Sequence, residues 1–116
     1  MYDTLFGNNV AKLCLLYIVN YGEGHINGIA KTFAVSPSQV QRQLVKLEAD
    51  GILVSQFSGN TKNFRINPRL FVRRELTSLI EKMLACLPEA DSQKYFRQRR
   101  RPRRTGKTLS GGSYAN

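Results

Sequence analysis

The chain has 116 residues, a formal net charge of +10 and two cysteines. That length fits one domain with a modest core, plus a tail. Cys14 and Cys86 are too few and too far apart for a disulfide framework, which suits a reducing cytoplasm. The charge is unevenly placed: residues 1–92 hold ten Lys and Arg against eight acids, whereas residues 93–116 hold eight Lys and Arg and no acid. A nearly balanced body with a strongly basic tail points to a polyanionic partner. The start, M-Y-D-T-L-F-G, has no basic stretch before an apolar run, so no signal peptide is expected. The longest apolar stretch, Leu13 to Val19, is too short to span a bilayer, and no membrane partner is expected.

Taken in chain order, the first expected helix runs from Asn8 to Asn20. Val10, Leu13, Cys14, Tyr17, Ile18 and Tyr21 recur at helical spacing on one face. Gly22 and Gly24 end it. His25-Ile26 is suited to a short edge strand. Asn27 is a candidate cap for a short helix, Gly28 to Phe33, with Ile29, Ala30 and Phe33 facing inward. Ser36 caps the next helix, with Pro37 at its first position, where the missing N–H costs nothing. This helix runs to Asp50, with Val40, Leu44 and Leu47 on its buried face. Gly51 supplies a left-handed C-terminal stop. Ile52 to Phe57 and Phe64 to Ile66 are expected strands. Ser58 to Asn63 forms the hairpin tip between them. Pro68 opens a long helix to Leu87, and Pro88 ends or kinks it. Glu89 to Arg101 can continue as a polar helix. From Pro102 the chain has little to bury and is expected to be disordered.

The exposed face of the Ser36–Asp50 helix carries the chemistry. Arg suits guanine, Gln suits adenine and Ser adapts to either partner. Ser38, Gln39, Gln41, Arg42 and Lys46 supply that set, and no acid occurs from Ser36 through Leu47. Ser36 and the helix N-terminus suit a phosphate. Beside the expected tip, Lys62, Asn63 and Arg65 are candidates for backbone or minor-groove contact. The bland alternative for both is an ordinary solvated surface.

Residues 5 to 87 resemble a winged helix-turn-helix regulator of the ArsR-like kind. The likeness rests on Leu5-Phe6-Gly7 and on Ser36, Pro37, Ser38, Val40, Arg42, Leu44, Leu47, Glu48, Gly51, Ile52 and Leu53. It implies a mainly α protein with a small β-hairpin (α+β) and a long C-terminal helix, to which the composition of the chain's end adds a disordered basic tail. It also implies a homodimer that docks the Ser36–Asp50 helix in the major groove of double-stranded DNA and pairs through its terminal helices. Ala34 departs from the glycine common in such turns. A positive φ there would cost roughly 1 kcal/mol. Domain boundaries follow: residues 1–88 form the winged domain with its dimerisation helices, and 89–116 form the tail.

Leu76, Leu79, Ile80, Met83, Leu84 and Leu87 form a stripe broad enough to serve a core and a partner, so they are the candidate dimer interface. In the tail, Arg97, Arg99, Arg100, Arg101, Arg103 and Arg104 can neutralise several phosphates and steepen the salt dependence of binding. One histidine and no Cys-x-Cys leave no metal site, and no cofactor is expected. Both cysteines lie on apolar faces, which suits buried structural thiols. Gly106-Lys107-Thr108 lacks the upstream glycine of a phosphate loop, and no catalytic grouping appears, so an enzyme is not expected. The sequence therefore reads as a cytoplasmic DNA-binding regulator, a repressor by class. The alternatives are a winged-helix adaptor with a protein partner, such as a toxin or nucleotidyltransferase, and an RNA-binding protein whose affinity lies in the tail.

Overall fold

The computed structural model describes residues 3–96. Six helices and one hairpin follow in the order α1 (Asp3–Phe6), α2 (Asn9–Tyr21), α3 (Ile26–Phe33), α4 (Pro37–Ala49), β1 (Leu53–Ser58), β2 (Thr61–Ile66), α5 (Arg73–Ala85) and α6 (Glu89–Tyr95). This is an α+β winged helix. The arginines from Arg97 to Arg104 lie outside the described residues, as does the tail expected to be disordered.

α2 is the centre of the fold. Asn8 caps it, its Oδ1 accepting from the backbone N–H of Val10 at 2.8 Å and of Ala11 at 3.1 Å. Ala11, Cys14, Leu15, Leu16, Ile18 and Val19 are all buried. A single apolar face was expected; instead the helix is enclosed on nearly every side, because α4, α5 and the hairpin all pack around it. Ile29 and Ala30 of α3, Val40 and Leu44 of α4, Leu53 and Phe64 of the hairpin, Ile80, Met83 and Leu84 of α5, and Phe96 join it in the core.

The α2–α3 connection differs from the expected edge strand. Ile26 already belongs to α3, and His25 occupies the cap position without a side-chain hydrogen bond, so Asn27 is not the cap. The strand-like residue is Gly24. Its N–H donates to the Phe64 carbonyl at 2.9 Å, and its carbonyl accepts from the Phe64 N–H at 2.7 Å. Only glycine fits there, since a Cβ would meet Tyr17 Cδ1 at 2.9 Å. This exchange pins β2 to the helical body.

The hairpin is longer and tighter than the sequence suggested. Ser58 pairs with Thr61, so the loop is just Gly59-Asn60. Gly59 has φ +63°, the sign that a II′ hairpin turn requires at its first loop position. The last long helix also starts later than Pro68. Asn67 folds residues 67–72 into turns: its Oδ1 accepts from the Arg69 N–H at 3.0 Å, and its Nδ2 donates to the Gly51 carbonyl at 2.9 Å. Local side-chain bonding of this kind competes with a helix start, and α5 begins only at Arg73. Pro88 precedes α6, which closes at Tyr95.

The turn between α3 and α4 has a strained residue. Ala34 adopts φ 57°, ψ 43°, and among the described residues it is the one non-glycine with positive φ. The turn therefore takes the positive φ that glycine usually supplies, despite the alanine. The left-handed geometry lets the Val35 N–H reach the Ala30 carbonyl at 3.1 Å and sets the angle between the two helices.

Candidate nucleic-acid interface

The caps and core contacts of α4 decide which side chains it offers. Ser36 Oγ accepts from the Gln39 N–H at 3.3 Å and lies 3.3 Å from Ser38 Oγ. Pro37 takes the first helical position. Val40 and Leu44 are fully buried, and Leu47 is half-buried, which fixes the rotation of the helix. Ser36, Ser38, Gln39, Gln41, Arg42 and Lys46 are consequently all exposed. Among the described residues no acid engages Arg42 or Lys46. The next glutamine along, Gln43, is instead buried at 8% exposure. Val45 is 50% exposed on the same open face. An apolar side chain held out among donors is a second candidate contact, since a thymine methyl is read by apolar groups.

The wing does not present Lys62, Asn63 and Arg65 as one cluster. Strand alternation places successive side chains on opposite faces. Arg65 is paired across the ladder with Val54, Asn63 with Gln56, and Lys62 with Phe57. Asn63 and Arg65 line a shallow concavity with Glu23, Gln56, Phe57 and Ser58. Lys62 instead turns toward α4: its Nζ lies 3.7 Å from Glu48 Oε1 and 5.3 Å from the centroid of the Phe64 ring. Lys62, expected in the hairpin tip where no alternation applies, belongs to β2.

The stripe on α5 is likewise divided. Ile80 is fully buried, and Met83 and Leu84 are 4% and 8% exposed, all within the chain's own core. Leu76 and Leu87 are half-buried, and Leu79 is 41% exposed. The side chains of this stripe that remain open to a partner are therefore Leu79 and the edges of Leu76 and Leu87.

Two features escaped the sequence reading. Tyr95 and Phe96, which lie in the stretch expected to be a polar helix, join Tyr17, Tyr21 and Phe33 in an aromatic cluster. The second feature is Phe71, which is 97% exposed in the turn before α5. Arg69, Arg73 and Arg74 surround it in sequence and are also exposed. The run R-L-F-V-R-R falls where the sequence predicts a helix interior, but α5 begins only at Arg73.

The cysteines part company. Cys14 is fully buried, and burial pushes its thiol up to about 12. Cys86 caps α5 and is exposed, against the expectation of a buried apolar position. Among the described residues no three His, Cys, Asp or Glu side chains converge, and no helix is long and apolar enough to cross a membrane.

No known protein-family model matches the chain, and no curated protein matches it significantly. Among solved structures, the AntR antimony-specific transcriptional repressor is similar, at 27% identity and a TM-score of 0.50. The likeness covers 70% of this chain and 69% of that one. It supports the winged-helix architecture and, at the level of class, a winged-helix regulator.

Proposed function

We propose that the protein is a DNA-binding transcriptional regulator, a cytoplasmic repressor of the ArsR-like kind, that docks α4 in the major groove. The observation that carries this reading is the exposed, acid-free set Ser38, Gln39, Gln41, Arg42 and Lys46 on a helix whose rotation is locked by Val40 and Leu44. Arg42 and the glutamines read base edges, Val45 meets a methyl group, and Ser36 with the helix N-terminus sits on a phosphate. Asn63 and Arg65 form the wing contact. The arginines from Arg97 to Arg104 add affinity that does not depend on sequence. Leu79, with Leu76 and Leu87, pairs two copies, so the target is a two-fold site with half-sites one helical turn apart. The class of the AntR neighbour, a repressor, supports this reading. Its antimony specificity is not carried over, because Cys14 is sealed in the core and Cys86 lies on another helix.

The test is selection of bound duplexes from a random pool, with full-length protein and with a variant whose six arginines from 97 to 104 are serine. Both should enrich the same site, the variant with weaker affinity and a shallower salt slope. Arg42→Ala should cost about 1–3 kcal/mol at one base position and relax the preference there. An equal loss on every sequence would remove Arg42 from base reading.

Phe71 favours a second reading, in which the chain is an adaptor for a protein partner. A phenylalanine that is 97% exposed between arginines is a typical anchor for a partner surface. If no duplex is enriched, while Phe71→Ser abolishes a stable complex with a purified partner, the adaptor reading replaces the first.

A further inference from the structure

The wing is held to the body at two levels. At its base, Leu53 and Phe64 are each 1% exposed, and Gly24 pairs with Phe64. Farther out, Glu48 of α4 reaches both strands at once. Its Oε2 accepts a hydrogen bond from Ser55 Oγ of β1 at 2.6 Å. Its Oε1 faces Lys62 Nζ of β2 at 3.7 Å. Beyond this level the side chains from Gln56 to Thr61 are all exposed. Glu48 is also the one acid on α4. A bare carboxylate on a DNA-facing helix repels the backbone; here its two oxygens are occupied by the wing.

We propose that Glu48 is a positioning residue that braces the wing against the recognition helix, so that Ser55, Glu48 and Lys62 together set sequence selectivity. This rests on the DNA-binding reading above. Base reading by α4 and backbone contact by the wing must be satisfied together on one duplex. A wing at fixed distance permits that only in one register. A wing free to swing finds phosphates on any sequence, since phosphate contacts carry no sequence information. Loosening the brace therefore lowers discrimination more than bulk affinity. Lys62 serves the brace rather than a phosphate. A half-exposed ion pair adds little to global stability, so its use lies in geometry.

The experiment uses full-length protein carrying Glu48→Gln, Ser55→Ala, Lys62→Met or the first two together. Two quantities are measured: the affinity ratio for the selected site over a scrambled duplex across a salt series, and amide exchange in the free protein. Ser55→Ala changes no charge, so it separates bracing from simple electrostatics. It and Glu48→Gln should each lower the ratio by about three- to tenfold. The double variant should be no worse than the poorer single, as expected for one coupled unit. Amides at Thr61, Lys62 and Asn63 should exchange faster, with Leu53 and Phe64 unchanged. Lys62→Met should lower the ratio and leave the salt slope intact. The proposal is overturned if Lys62→Met weakens both duplexes equally and reduces the slope by about one while Ser55→Ala is silent. If the unaltered protein prefers no duplex, the DNA-binding reading fails and the selectivity role with it. Amide exchange would still report whether Glu48 holds the wing.

Discussion

Phe96 lies against Phe33, with ring centroids 5.9 Å apart, and so returns α6 to the end of α3, the helix that precedes α4. Tyr21 Oη reinforces the contact by donating to the Tyr95 carbonyl at 2.7 Å. Phe96 is only 6% exposed. The residue just before the arginine run is therefore held against Phe33, which lies three positions upstream of the Ser36 cap.

Phe96→Ala should destabilise the domain by about 2–4 kcal/mol, somewhat below a central core truncation because the site lies at the end of a short helix. Urea denaturation measures it. Phe33→Ala should cost a similar amount, and the double variant should fall short of the sum by more than about 0.5 kcal/mol. Strict additivity would mean that the two rings do not support each other.

Ala34→Gly should raise stability. Alanine in the left-handed region costs roughly 1–2 kcal/mol, and part of the gain is offset by the greater freedom of glycine in the unfolded chain. The expected net change is about +0.5 kcal/mol, read as a higher urea midpoint at unchanged slope. Ala34→Val should move the midpoint the other way.

The two thiols should behave oppositely. At pH 8 an aromatic disulfide reagent should titrate Cys86 in native protein, and Cys14 only after denaturant is added. Burial raises the Cys14 thiol from 9.0 to about 12. The folded state thus holds its proton longer than the unfolded state. The stability linked to that proton is fully present below pH 9 and is lost as pH rises through 12. Cys14→Ala should flatten the alkaline part of the stability profile in that window, at the cost of a small cavity.

Leu79→Glu and Ile80→Glu should separate pairing from folding. Leu79 is 41% exposed, so its charged variant should fold and run as a monomer in sedimentation. Ile80 is fully buried, so its variant should lose cooperative unfolding at any concentration. A Leu79→Glu protein that still dimerises would move the interface elsewhere, with exposed Leu5 of α1 the next position to change.

What the sequence determined by itself was local. Ser36 and Pro37 are signals read by their own neighbours, and each sits where its spacing predicted, whereas Asn8, expected as the first residue of its helix, is instead the cap of α2. The rotation of α4 followed from Val40, Leu44 and Leu47, which is why its exposed face was legible in advance. Tertiary contact decided the rest. The Gly24–Phe64 exchange, the double burial of α2 and the Phe33–Phe96 contact join residues far apart in the chain, and no local period encodes them. The same holds for Lys62. Its charge pointed outward to a phosphate until a tight Gly59-Asn60 turn extended β2, fixed the alternation and set the side chain against Glu48. A charge in a sequence has no direction; only the strand that carries it and the helix that faces it give it one.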